Sequence, residues 1–173
     1  MNTKTRTPQA FVPVENKIDR VCQRLGSNNR QDVIVRHLLK HINGAFDDNM
    51  AVLLKQHGLN NVSFTALIML YSAQHDSINP SQLSEATGES RANVTRICDD
   101  LLAKGHLVRA PSSTDRRRVD LKIAPSGEAI LEQLLPVLGG RLNTALSCFD
   151  ATERQQFESM LKRLLDSIYK MNP

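Results

Sequence analysis

Polar side chains at the start of one predicted helix are of the types that read bases in DNA. The helix begins after Ser90, and a 100° step per residue places its polar positions opposite an apolar stripe. Arginine can clamp guanine, asparagine can pair with adenine, and alanine or threonine can meet a thymine methyl in the major groove. A solvated helix face is the alternative, which Asp99 and Asp100 favour for the C-terminal half of the helix. The residues that we expect to contact DNA, with the serine at a phosphate, are Ser90, Arg91, Ala92, Asn93, Thr95 and Arg96.

A second group of charged residues lies at the polar tip of a predicted β-hairpin. Arginine is the side chain that enters a narrow, electronegative minor groove, and Arg116, Arg117 and Arg118 are consecutive there. Asp115 would repel phosphate, so we expect it to hold one of these arginines by a charge-assisted hydrogen bond. In residues 104–122, six basic and two acidic side chains give an excess of four positive charges, which equals the excess of the whole chain. Such clustering is typical of a surface that binds a polyanion, and a solvated basic loop is the alternative.

Local sequence signals predict the elements that position these two groups. Asn79 followed by proline predicts the start of a helix that ends at Gly88, and the helix after Ser90 ends at Gly105. Two helices separated by a short turn that contains glycine are typical of a helix-turn-helix. Alternation of apolar and polar residues then predicts two strands, in 107–109 and 119–123. A basic hairpin directly after a helix-turn-helix is a winged helix.

Long amphipathic helices are predicted on both sides of this region. Apolar residues recur every three or four positions in 32–57, and a helix rising ~1.5 Å per residue is then too long for a small domain to cover. We therefore expect a mainly α chain with a small β-wing, in which N- and C-terminal helices form a dimerisation region. The predicted segments are a basic N-terminal extension with a short helix in 1–30, dimerisation helices in 31–58 and 125–173, and the winged helix-turn-helix in 60–124.

Composition and motifs exclude several classes of protein. No apolar stretch approaches the ~18–20 residues that span a bilayer, and the N-terminus lacks the apolar run of a signal peptide. We therefore expect a cytoplasmic protein with no membrane partner. The three cysteines are far apart and odd in number, which fits neither a disulfide framework nor a zinc ribbon. No P-loop, GxGxxG, GxSxG or HExxH motif is present, so we expect neither an enzyme nor a bound cofactor.

The hairpin and the residues after it resemble the wing signature of the MarR family of bacterial transcription regulators. That signature is Asp-x-Arg, five residues, Leu-Thr, and a glycine three residues further on. Asp115, Arg117 and Gly127 match it, and Ile123-Ala124 conservatively replaces Leu-Thr.

The resemblance extends from about Val33 to Met171, with the elements in the same order. Segments 78–84 and 90–96 look like the two helix-turn-helix segments of the family, and the chain looks most like the repressors of multidrug-efflux operons. The resemblance implies a homodimer whose recognition helices enter adjacent major grooves of a pseudopalindrome while the wings reach the minor groove. It also implies that small anionic aromatic compounds bind between the dimerisation and DNA-binding parts and weaken DNA binding.

We therefore interpret the chain as a ligand-responsive repressor that binds a pseudopalindromic operator in double-stranded DNA as a homodimer. Small aromatic or lipophilic compounds would release it from an efflux or detoxification operon, and His37, His41 and Tyr71 are candidates for the effector pocket from their helix positions. One alternative is the same fold switched by oxidation of Cys22, or by zinc on the two histidines four residues apart. The others are a sequence-independent nucleic-acid-binding module and a winged helix that binds protein.

Overall fold

The structure, a computed structural model, describes residues 8–73, 78–111 and 119–171. In these residues the chain forms seven α-helices, one short 3₁₀-helix and one two-stranded sheet. The elements of the N-terminal part are α1 (Val12–Leu25), α2 (Arg30–Gln56), α3 (Asn61–Ser72), α4 (Pro80–Thr87) and α5 (Arg91–Ala103). The elements that follow are β1 (Leu107–Pro111), β2 (Val119–Ile123), α6 (Pro125–Ala145), the 3₁₀-helix (Leu146–Cys148) and α7 (Ala151–Met171). The predicted mainly α fold with a small β-wing is confirmed.

The chain divides into two compact units, Met1–Asn61 and Val62–Pro173. The first unit contains α1 and α2, and the second contains the helix-turn-helix, the hairpin and the C-terminal helices. The finer predicted division into a basic extension, dimerisation helices and a DNA-binding region stays a prediction.

In the first unit, α1 and α2 form an antiparallel helical hairpin. Arg30, at the start of α2, donates hydrogen bonds to Asp19 (2.5 Å) and Glu15 (3.0 Å) on α1. These hydrogen bonds, that of Asp19 first, raise the pKa of Arg30 above its ordinary value. Further along the hairpin, the ring of Phe11 meets the ring of His41 edge to face, with centroids 5.3 Å apart. The two contacts hold α1 along the first half of α2.

In the second unit, α4 and α5 form the predicted helix-turn-helix. The side chain of Asn79 accepts the backbone N–H of Gln82 (3.0 Å), and the backbone N–H of Asn79 donates to the side chain of Gln82 (2.9 Å). This reciprocal pair satisfies two backbone groups that the first turn of α4 would leave without partners. The turn to α5 passes through Gly88, whose φ of +68° is the left-handed conformation that glycine adopts at little cost. The predicted helix start at Asn79 and helix end at Gly88 are confirmed.

One of the contacts between the hairpin and the helix-turn-helix was not evident from the sequence. Strands β1 and β2 pair antiparallel along their whole length, and the pair nearest the tip is Pro111 with Val119. Ile78, just before α4, exchanges two backbone hydrogen bonds with Leu121 on β2, of 3.1 and 2.9 Å. The tip itself, 112–118, lies outside the described residues.

The glycine of the wing signature lies where two backbones approach closely. A Cβ at Gly127 would collide with the carbonyl oxygen of His106 and come within 2.9 Å of the Ile123 side chain. That carbonyl also accepts the backbone N–H of Ala124 (2.9 Å), which restricts its movement. A glycine is therefore required at the start of α6 because a side chain would not fit there. Its backbone φ is not in the left-handed region.

The C-terminal helices differ in burial. α6 buries Leu131 and Leu134 in the second unit. In the described part of the chain α7 has no buried residue, although its apolar residues recur at helical spacing. Its large exposed apolar side chains are Met160, Leu164, Leu165, Ile168, Tyr169 and Met171.

Candidate nucleic-acid interface

The residues that the sequence assigned to DNA contact lie at the N-terminal end of α5. The stripe of Val94, Ile97, Cys98 and Leu101 is buried, which confirms the predicted inner face of this helix. Because helical side chains on opposite stripes point in opposite directions, the polar stripe faces solvent. Of the six residues that the sequence assigned to DNA contact, the exposed ones are Ser90, Arg91, Ala92, Thr95 and Arg96, and Asn93 is half-buried.

A chain of hydrogen bonds links the turn to this face. The amide nitrogen Nδ2 of Asn93 donates to a carboxylate oxygen of Glu89 (2.7 Å), and its Oδ1 accepts from Nη2 of Arg96 (3.0 Å). The hydroxyl of Ser84 donates to the carbonyl of Glu89 (2.6 Å), which fixes the backbone of the turn. Glu89 thus orients two of the expected DNA contacts through Asn93. Glu89 was not predicted from the sequence, because it precedes the extended cap residue Ser90 and has no place in the helical period of α5.

The hydroxyl groups of Ser90 and Thr95 form hydrogen bonds with the backbone of α5 itself. The Oγ of Ser90 accepts the backbone N–H of Asn93 (3.3 Å), as the cap of α5. The Oγ1 of Thr95 donates to the carbonyl of Arg91 (2.9 Å), one turn earlier. Capping leaves the hydroxyl hydrogen of the serine available for a phosphate, because the oxygen is the acceptor in that bond.

The two acidic residues in the C-terminal half of α5 each form an ion pair with a basic side chain. Nη2 of Arg109 on β1 lies 3.5 Å from Asp99, and Nζ of Lys104 lies 2.6 Å from Asp100. Both pairs are solvent-exposed, so each contributes little to stability. Their effect is on charge, since pairing reduces the repulsion that these carboxylates would exert on a phosphate backbone.

The wing residues of the prediction, Asp115, Arg116, Arg117 and Arg118, lie outside the described residues. Their assignment to the minor groove stays a prediction. The strands that lead to them carry Arg109, whose side chain is exposed beside α5.

The three predicted effector-pocket residues are placed differently. His37 lines a cavity between α1 and α2, whereas His41 lies against Phe11. Tyr71, which belongs to the second unit, is partly exposed on α3. Their role in an effector pocket stays a prediction.

The cysteines and the candidate metal ligands were examined for the alternative switches by oxidation or zinc. Cys22 and Cys98 are buried and Cys148 is exposed, and all three are free thiols. Burial, and secondarily the charge of Asp99, raises the pKa of the Cys98 thiol. Among the described residues, no group of three or more His, Cys, Asp or Glu side chains is arranged to hold a metal ion.

None of the described helices combines the length and apolar character needed to cross a membrane.

A helix-turn-helix with an exposed polar face on its second helix, followed by a hairpin, defines a winged-helix DNA-binding regulator. The sequence model of the MarR family matches residues 57–118. The chain is 33% identical to the transcriptional repressor MprA of Escherichia coli K12 over 162 residues, which cover 94% of this chain and 92% of MprA. It is 24% identical to the repressor NicR of Pseudomonas putida over 168 residues, 95% of this chain and 96% of NicR. This chain therefore belongs to the MarR family, as its wing signature suggested.

Solved structures agree with that assignment. The reduced form of MarR from E. coli superposes with a TM-score of 0.65 at 28% identity, over 75% of this chain and 94% of MarR. The MepR–DNA complex of Staphylococcus aureus superposes with a TM-score of 0.68 at 20% identity, over 77% of this chain and 95% of MepR. MepR is a transcription regulator of the S. aureus multidrug efflux pump MepA, and at 20% identity its likeness to this chain is one of fold. The protein is a MarR-family transcriptional repressor and not an enzyme.

Proposed function

We propose that this repressor binds a pseudopalindromic operator of an efflux or detoxification operon as a homodimer and is released by a small aromatic or lipophilic compound. It acts on double-stranded DNA in the cytoplasm. The observation that carries the proposal is the N-terminal face of α5, where exposed Arg91, Thr95 and Arg96 surround the half-buried Asn93. The MepR–DNA complex shows that a protein of this fold binds DNA.

Each residue of the face has a role that its chemistry suits. Arg91 and Arg96 clamp guanine, and Asn93 pairs with adenine once it gives up its hydrogen bonds within the face. Thr95 and Ala92 offer methyl groups to thymine, and Ser90 donates to a phosphate. In the minor groove, the arginines of the wing tip make the contacts, with Asp115 as their organiser; these arginines are Arg116, Arg117 and Arg118.

The homodimer is supported by the apolar surface of α7. From Met160 onwards its large apolar side chains are mostly solvent-exposed, and a monomer rarely keeps an apolar surface of this kind. α2 likewise exposes Val35, Ile42, Phe46 and Val52. We assign these helices to the contact between two copies, which places one winged helix in each half of a pseudopalindrome.

Release by a ligand follows from the geometry of two half-sites. A change of a few ångströms in the spacing of the two α5 helices misplaces contacts on both sides, and each lost base contact costs about 1–3 kcal/mol. The ligand must bind the DNA-incompetent state more tightly, because equal affinity for both states shifts nothing.

Salicylate titrated into the complex with the DNA upstream of the gene for this protein tests the proposal. We expect fluorescence anisotropy of the labelled duplex to fall as salicylate is added, while light scattering shows two chains per duplex. A complex that salicylate leaves intact would contradict the ligand response for this class of compound, and one chain per duplex would contradict the dimer. A matched titration with benzyl alcohol, which has the ring without the carboxylate, separates an effect of charge from one of apolar bulk.

A further inference from the structure

Helix α6 contains three residues in its interior that weaken a helix. Pro136 lies inside the helix, and Gly139 and Gly140 follow it within about one turn. Proline has no N–H for the carbonyl one turn earlier, and its ring crowds that carbonyl. Glycine is, after proline, the residue least favourable in a helix interior. Residues 136–140, here called the α6 joint, are therefore the part of the helix interior that favours helix least.

Neither space nor backbone angle requires the two glycines of the α6 joint. A Cβ at Gly139 or at Gly140 would meet no described atom within 4 Å outside its own stretch of helix. Neither glycine has a positive φ. Gly127, at the start of the same helix, differs, because a Cβ there would collide with the carbonyl of His106. The remaining physical consequence of Gly139 and Gly140 is freedom of the backbone.

The part of α6 before the α6 joint is anchored to the winged helix. Leu131 and Leu134 are buried, and the hydroxyl of Ser126 donates to the carbonyl of Gly105 (2.5 Å), just after α5. After Leu134, no residue of α6, which the structure describes in full, is buried. The helix therefore leaves its packed surroundings just before the α6 joint.

The part of the chain after the α6 joint is held to α7. Arg154 of α7 donates to the side chain of Asn143 on α6 (3.4 Å) and to the carbonyl of Phe149 (3.2 Å). The rings of Phe149 and Phe157 stack with their centroids 5.5 Å apart. These contacts join the end of α6, the 3₁₀-helix and the first turns of α7 into the C-terminal corner, residues 141–157. The α6 joint therefore lies between two segments that are each held by their own contacts.

The α6 joint itself is exposed to solvent. Pro136, Gly139 and Gly140 are exposed, and Val137 is 46% exposed. The hydroxyl of Thr144 donates to the carbonyl of Gly140 (2.9 Å), an arrangement that often bends helices. Sharp bends of more than about 20° occur in helices at proline and at pairs of glycine or serine. The α6 joint has both the proline and the pair of glycines.

We propose that the α6 joint is a hinge between the winged helix and the C-terminal corner, and that its bending lets the repressor bind operators whose half-sites differ in spacing. One base pair inserted between two half-sites moves them apart by about 3.4 Å and rotates them by about 35° relative to one another. Two hinges that share this rotation each bend by about 18°, close to the size of bend that proline permits. The hinge stands without the proposed function, and only its consequence for spacing rests on a homodimer on a pseudopalindrome.

The distance between two spin labels tests the hinge without DNA. One label is placed on Cys148, which is exposed in the C-terminal corner, and the other at Ala129→Cys, an exposed position before the α6 joint. The two positions are roughly 30 Å apart if α6 is straight. Cys22 and Cys98 are buried, which keeps them from the label. The full-length labelled chain is mixed with an excess of chain without spin label, so each measured distance lies within one chain.

Substitution of both glycines by alanine should stiffen the hinge. We expect a broad distance distribution in the parent chain and one about half as wide when Gly139→Ala and Gly140→Ala are combined. Gly44→Ala is the matched control, because Gly44 also lies inside a helix and a Cβ there would meet no described atom within 4 Å. Alanine favours the helix, so the variants fold, and melting curves check this. A narrow distribution in the parent chain, or equal widths in the parent and the double variant, would overturn the hinge.

The consequence for DNA is measured with the operator duplex and with a duplex that has one base pair inserted between the half-sites. We expect the insertion to weaken binding about tenfold in the parent chain and in Gly44→Ala. In the variant with Gly139→Ala and Gly140→Ala we expect a loss of about a hundredfold or more, because a stiff dimer loses contacts at one half-site. Equal losses in the parent and the double variant would overturn the role in spacing. A parent chain that bound neither duplex would contradict the proposed function and leave the distance measurements standing, so the two failures are distinguishable.

Discussion

Helices α5 and α7 have the same kind of amphipathic pattern, but their apolar faces differ in burial. In α5 the apolar stripe is buried within the chain, and Leu101 is 0% exposed. In α7 the stripe faces solvent, and Leu164 is 37% exposed. The difference shows that periodicity predicts a helix with an apolar face and leaves open whether its own chain or another chain covers that face. In α5 the exposed face is polar, whereas in α7 the exposed face is apolar.

The largest expected effect is on stability, and it separates the two helices. Leu101→Ala removes a fully buried side chain and lowers the free energy of unfolding by about 2–5 kcal/mol, at any protein concentration. Leu164→Ala, if α7 covers a second copy, has an effect that grows as the protein is diluted. Urea denaturation at two protein concentrations measures both. A concentration-independent loss in the Leu164→Ala variant would remove the contrast between the helices.

The next effect is on operator binding. Arg96→Gln removes an expected base contact and weakens operator binding by about 1–3 kcal/mol, with the dimer unchanged. Arg163→Gln is the matched control, because it removes one exposed arginine from α7. Anisotropy titrations with operator DNA compare the two variants at one salt concentration. Equal losses would indicate that net charge, and not the face of α5, determines the affinity.

A smaller effect is expected at Glu89, which acts through Asn93. Glu89→Ala frees the Asn93 amide, and we expect the preference for operator over single-base mismatches to fall by about 0.5–1.5 kcal/mol. Glu89→Gln keeps an acceptor for Asn93 and should restore most of that preference. If Glu89→Ala only tightened binding to every sequence equally, its effect would be loss of a negative charge and not of positioning.

The smallest effect is a pH dependence near the C-terminal end of α5. Burial, and then the charge of Lys104, lowers the pKa of His106 below the ordinary histidine value of about 6.5. The folded chain therefore binds this proton less tightly than the unfolded chain, so acid favours unfolding. The contribution of His106 is fully present above the ordinary value and is lost as the pH falls through it towards the lowered value. Melting temperatures between pH 7.5 and 5.5 should fall more for the parent chain than for His106→Asn, and parallel curves would contradict the shift.

Much of the fold was predictable because its signals are local. The cap at Asn79, the turn at Gly88 and the alternating strands each depend on a few neighbouring residues. The structure has the cap, the turn and β2 where the sequence placed them, and β1 extends two residues beyond the predicted 107–109. The bridge of Ile78 to Leu121 was not predictable, because one paired residue leaves no periodic pattern. The cavity between α1 and α2 was missed for another reason. Its size depends on the distance between the two packed helices. The sequence predicts which faces of these helices are apolar but does not predict that distance.

The candidate site was predictable in its residues and less so in its connections. The exposed face of α5 follows from the helical period, which requires polar residues opposite a buried stripe. The hydrogen bonds of Asn93 depend on side-chain rotamers, so the helical period cannot supply them. The contacts of Arg116 and its neighbours at the wing tip stay predictions.

Selectivity for operator DNA tests the central claim most directly. We would measure the affinity of the protein for the DNA upstream of its own gene and for a scrambled duplex of the same composition, across a salt series. We expect tight binding to the first, far weaker binding to the second, and an affinity for both that falls steeply with salt as counterions are released. Equal affinity for the two duplexes at every salt concentration would contradict recognition of an operator by the face of α5.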